Sequence, residues 1–184
     1  MKKLLESPVF AVFLAAVVVI GTTLLSTKIG FGGKCDAMKE TFYRQTDDAL
    51  PVASGLRSFC DAAEKVALTA QENEVRGAED VLSNIKYLKN MLYLESDNYT
   101  VMRSVYQDLL SDTFSLEAAL ARMELAEAET ETLSSAQHGA AEAKAAVDAS
   151  EFNSLARAFL KRYQKFPTEG LAALTGLSMP CAFD

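Results

Sequence analysis

The chain has 184 residues and a formal net charge of -7, long enough for one domain with a sizeable core plus one membrane span. Alanine, leucine, glutamate and lysine dominate while proline and glycine are sparse, which excludes an all-β protein and predicts an all-α fold. Lys2, Lys3 and Glu6 carry +1, so the rest of the chain stands at -8, a surface that repels phosphate backbones and excludes nucleic acid as a partner.

Residues 1–6 form a short basic flank, and residues 7–27, from Ser7 to Thr27, contain no charged side chain. As a helix rising 1.5 Å per residue this stretch reaches about 31 Å, the thickness of a hydrocarbon layer, and predicts a single transmembrane helix. A cleaved signal peptide is the competing reading, but the stretch is long for a signal core and no small-x-small site follows it. Lys2 and Lys3 oppose Lys28, Lys34, Lys39 and Arg44 across the span, so charge alone barely orients it. The apolar tail from Leu171 to Phe183 is too short and too interrupted for a second span.

Residues 28–34, Lys-Ile-Gly-Phe-Gly-Gly-Lys, read as a glycine-rich hinge, and residues 35–184 as the soluble domain. From Asp36 to Ala70 the positions Phe42, Thr46, Ala49, Ala53, Leu56, Cys60, Ala63, Ala67 and Ala70 alternate spacings of four and three, which predicts one long amphipathic helix bent at Pro51. Gln71 to Gly77 supplies a turn, and a second stripe runs through Ala78, Leu82, Ile85, Leu88, Leu92, Tyr99, Met102, Tyr106 and Leu109 with an irregularity near Glu95–Asn98. The capping residues of Ser111–Ser115 predict a third helix opening at Leu116. Alanine fills most seam positions from Ala126 to Val147, predicting the least stable part of the domain, and Ser134–Ser135 leaves open whether this stretch is one helix or two. Phe152, Ala156, Phe159, Tyr163 and Phe166 mark a last helix stopped by Pro167, whose aromatics predict the largest share of the core. The expected architecture is a single transmembrane helix followed by an up-and-down antiparallel bundle, of four helices rather than three.

The segment from Asp48 to Lys65 resembles the Leu-Ile-Pro-x-Leu stretch and following helix of bacterial LemA-family proteins. Phe152-Asn153, Phe159, Tyr163, Phe166-Pro167, Leu171-Ala172 and Gly176 are similar to that family's Tyr-Asn, Tyr-Asn, Phe-Pro and Leu-Ile-Ala-Gly-Leu pattern. The two blocks cover roughly a third of the chain, while the middle lacks the family's Tyr-Pro-Asp-Leu and Glu-Asn-x-Ile stretches, as in a divergent member similar to the magnetosome-associated branch. The resemblance implies a helical bundle tethered to a bacterial inner, or organelle-like intracellular, membrane, without an established enzymatic activity and without catalytic residues to transfer. A short Lys-Lys terminus ahead of an apolar segment commonly stays inside, which puts the domain on the periplasmic or luminal side.

Little in the chain points to catalysis, a cofactor or a metal. His138 is the single histidine, and position 135, where a di-iron bundle needs glutamate, is serine. Glu117, Glu124, Glu127, Glu129 and Glu131 form a run along one stretch rather than a convergent set, as on a solvated face. Asn98-Tyr-Thr matches the glycan acceptor pattern by chance. Cys60 falls on the seam, about 37 Å from Cys35 along one straight helix, whereas in a four-helix bundle Cys181 returns to the membrane end and can bridge Cys35. These features predict a scaffold or adaptor that binds other proteins or itself, with a small-molecule or ion-sensing bundle at the membrane surface as the alternative.

Overall fold

A stretch that is apolar on every side has no face to give to water, and it forms the outer part of the first helix, α1, Pro8–Tyr43. The computed structural model describes residues 8–44, 50–163 and 174–184; the flank 1–6 and Thr46, Ala49, Phe166, Pro167, Leu171 and Ala172 lie outside them. Val12 is 69% and Ile29 71% exposed, and of the apolar side chains between them only Leu24 is half-buried. Within this stretch Thr22 donates to the Val18 carbonyl at 2.8 Å and Thr23 to the Val19 carbonyl at 2.7 Å, hydroxyls satisfied without water as a hydrocarbon layer demands.

From Phe31 onward the same helix becomes one-sided. Phe31, Cys35, Met38 and Phe42 repeat at four, three and four residues and pack on the core. This corrects the expected hinge at 28–34: α1 runs through Gly30, Gly32 and Gly33 unbroken, although each interior glycine costs about 1 kcal/mol relative to alanine. Packing of the Phe31 ring on Phe159 at 5.9 Å and Tyr163 at 4.6 Å offsets that cost.

The helix does not continue to Ala70 as the stripe suggested. α2, Val52–Glu72, starts afresh at Pro51, whose extended backbone (φ -66, ψ 148) stands as N-cap and whose carbonyl accepts from Ser54 and Gly55. Twelve of its 21 residues are buried, so this helix, not the aromatic last one with four, is the centre of the core. Glu74 (φ 57) and Gly77 (φ 93) turn the chain through left-handed backbone into α3, Ala78–Tyr93, whose first turn carries Glu79 and Asp80. Lys89 ties α3 to α2 through Asp61 at 2.7 Å and Glu64 at 2.6 Å.

The irregularity near Glu95–Asn98 is a full break: Glu95 takes φ 47, and Asn98 caps α4, Tyr99–Leu120, by accepting from the Val101 amide. α4 runs straight through Ser111–Ser115, where Ser115 bonds back to the Ser111 carbonyl at 2.9 Å and Thr113 is buried, so the predicted helix start at Leu116 is wrong. The break falls instead at residues 121–126. α5, Glu127–Asp148, passes unbroken through Ser134–Ser135, burying Leu133, Ala136, Ala140, Ala143 and Val147 at alternating three and four. α6, Glu151–Tyr163, follows after a tight turn. Among the described residues six helices have both ends described, Leu174 is helical as well, and no strand occurs; five of the six follow α1, where four were expected.

α2 meets α5 in the most extensive contact, then α3 and α4, while α1 rests on α6 and α2. The alanine stripe of α5 therefore marks the close approach of two helices. α1 and α6 run in opposite directions, with Phe42 5.0 Å from Phe152 and Phe31 beside Tyr163 eleven residues further along each helix. The carboxyl-terminal segment closes the core: buried Phe183 lies 5.4 Å from Phe42 and 6.3 Å from Phe152. Asn153, fully buried, donates to the Val147 carbonyl at 2.7 Å and accepts from the Phe183 amide at 2.8 Å, pinning α5, α6 and the tail together.

Candidate functional site

Between α2 and α5 small residues draw the backbones together and leave a polar-rimmed groove of about 540 Å³. A Cβ on Gly55 would stand 2.7 Å from Val147 Cγ2, so only glycine fits there. Ser58, Asp61, Lys65, His138 and Glu142 form the rim. His138 Nε2 lies 3.2 Å from Glu142 Oε1 on its own helix, both side chains well exposed, a solvated surface pair rather than a base aimed at a nucleophile. Of the glutamate run, Glu129 is structural: it accepts from the Ala126 amide at 2.8 Å and the Asn73 side-chain amide at 2.9 Å. No group of three His, Cys, Asp or Glu side chains able to hold a metal ion occurs among the described residues.

The inner face of α4 carries polar atoms without hydrogen-bond partners: the hydroxyls of Tyr99, Tyr106 and Thr113, and Nε of Arg103. Each such buried group costs about 1–3 kcal/mol. Burial pushes both tyrosine hydroxyls well above their ordinary value. Thr113 opens on a groove of about 200 Å³ between α4 and α5, with Phe114, Glu117, Gln137 and Lys144 around it. There burial raises the Glu117 carboxyl, against a hydrogen bond from Gln137.

All three cysteines are thiols. Burial pushes Cys60 up to about 12, the behaviour of a packed apolar side chain. With α1 ending before Pro51, no single straight helix joins Cys35 to Cys60. Cys35 and Cys181 are half-buried, and both lie close enough to Tyr99 to act on its hydroxyl.

The third cluster sits where α1 leaves its apolar stretch. Lys34 Nζ donates to the Tyr163 hydroxyl at 2.5 Å and lies 4.8 Å from that ring's centre, while the Arg162 guanidinium lies 5.5 Å from it. The Lys34 bond lowers the Tyr163 hydroxyl from its ordinary value. Beside them a groove of about 360 Å³ runs between α1 and α6 past Met38, Thr41, Leu155 and Phe159. Reading residues 28–34 as a hinge hid this junction; the Phe31–Cys35–Met38–Phe42 stripe was the signal for it. No family model, curated protein or solved structure matches the chain.

Proposed function

We propose that the chain is a non-enzymatic, membrane-anchored scaffold or adaptor, a divergent LemA-family member whose up-and-down bundle binds envelope or membrane-associated proteins, or its own copies, on the periplasmic or luminal side. One observation carries this reading: α1 is a single helix that leaves a bare apolar stretch and enters the domain core, so the domain is held at a fixed attitude to its anchor. At 36 residues α1 is about 54 Å long, enough for a hydrocarbon layer and a further stem. At the far end of that stem Tyr43 donates to the Ser96 carbonyl, and next to this turn Tyr93 is 83% and Leu94 66% exposed. Exposed apolar side chains at the end of the domain remote from the apolar stretch suit a protein partner.

Photo-crosslinking amino acids at Tyr93 and Leu94, in membranes washed with alkaline carbonate, test both halves. A chain retained in the pellet and joined to a protein at these sites is expected. Release by carbonate, or retention with no protein joined, contradicts it. On this reading the Cys35 and Cys181 thiols become joined once the domain is in an oxidising compartment, and non-reducing mass spectrometry showing two free thiols there ends that part. A second reading, a small-molecule sensor, is favoured by the unpartnered Thr113 hydroxyl at the α4–α5 groove.

A further inference from the structure

We infer that the junction of α1 and α6 binds the headgroup of an anionic phospholipid. The inference rests on the membrane-anchored reading and adds a ligand to it.

The first charge after the apolar stretch of α1 is Lys28, which places the hydrocarbon boundary near it. Lys34 lies about 9 Å further along the helix, at headgroup depth, since a bilayer of about 40–45 Å adds a polar layer of several ångströms to each side of its hydrocarbon. Helical side chains lean towards the amino terminus, so Lys34 leans back towards the membrane. The opposed direction of α6 brings its last turn, with Lys161 and Arg162, to the same level.

Carboxylates are kept from the membrane-proximal end of both helices, while Lys39 and Arg157 lie further out. The carboxylates described on them, Asp36, Glu40 and Glu151, all lie further from the span than Lys28, Lys34, Lys161 and Arg162. In a chain of net charge -7 this end is locally positive. Phe31 and Tyr163 add the aromatic pair that settles at a lipid–water boundary. A phosphate at the membrane-facing mouth of the groove meets Lys34 and Arg162, and the space beyond, about 360 Å³, leaves room for a headgroup alcohol such as glycerol.

The test uses the full chain in nanodiscs of mixed phosphatidylcholine and phosphatidylglycerol, with retained lipids counted by native mass spectrometry. The wild type should keep phosphatidylglycerol over phosphatidylcholine. Lys34→Gln with Arg162→Gln should lower that preference about fivefold for each cation removed. Lys34→Arg with Arg162→Lys should keep it, which separates lost charge from lost folding, and Lys86→Gln on the exposed side of α3 should leave it unchanged. Equal retention of both lipids by a chain that stays in the disc overturns the site while leaving the anchor intact. A chain that elutes free of discs overturns both. A phosphate adduct from free inorganic phosphate on pure phosphatidylcholine discs, lost in the double Gln variant, makes this a soluble-anion site and overturns the lipid assignment.

Discussion

The α2–α5 seam and the aromatic cluster around Phe42 obey the same helical period yet hold by opposite means. In the seam, Gly55, Ala136, Ala140 and Ala143 bring two helices close, so the contact depends on atoms being absent. In the cluster, Phe42, Tyr99, Phe152 and Phe183 from three helices and the tail fill space with rings 5.0–6.3 Å apart, so the contact depends on bulk. The first rejects added atoms where the backbones come closest, at Gly55, while the second rejects their removal.

Removing bulk gives the largest effect. Phe42→Ala should cost about 3–5 kcal/mol, read from thermal unfolding of the full chain in detergent. A cost like that of a surface substitution would mean the cluster is not the hub. Next, Asn153→Ala strips partners from the Val147 carbonyl and the Phe183 amide; about 2–3 kcal/mol should be lost and the carboxyl-terminal tail should become cleavable by protease. In the seam, Gly55→Leu should cost about 1–3 kcal/mol by overpacking. Gly139→Ala, whose added Cβ would sit an ordinary 3.7 Å from Ala62 Cβ, should instead gain about 0.5–1 kcal/mol from helix propensity. The same sign at both glycines breaks the comparison. The smallest effect is at half-buried Glu129, whose carboxyl the Ala126 amide and then the Asn73 side chain hold below its usual value. A depressed folded value means stability present above the ordinary carboxylate range, about pH 4.3, and lost as pH falls through the lower one. The protection factor of the Ala126 amide, with exchange corrected for its intrinsic slowing under acid, should therefore fall with pH in the wild type, with a weaker response in Glu129→Ala.

What was legible in the sequence was the period. The stripes named in the sequence for α2, α3, α4 and α6 fall mostly on their buried faces because spacing of three and four survives any packing, whereas α5 showed only that alanine fills its seam. Boundaries were less legible, since they depend on partners remote in sequence. Ser111–Ser115 has the composition of a helix start, yet burial of Thr113, Leu109 and Leu116 carries α4 through it. Residues 28–34 have the composition of a hinge, yet Phe31 finds Phe159 and Tyr163 more than 120 residues away. Phe183 and Asn153 carry no periodic signal that would reveal a tail plugged into the core. The α1–α6 junction was hidden for the same reason.

The continuity of α1 from span to core is the claim on which the scaffold reading and the lipid site both stand. Hydrogen–deuterium exchange of the full chain in nanodiscs tests it at Gly30 to Lys34. An unbroken helix clamped by α6 predicts slow exchange there, comparable to Met38–Phe42; exchange at the rate of an unstructured linker would contradict it.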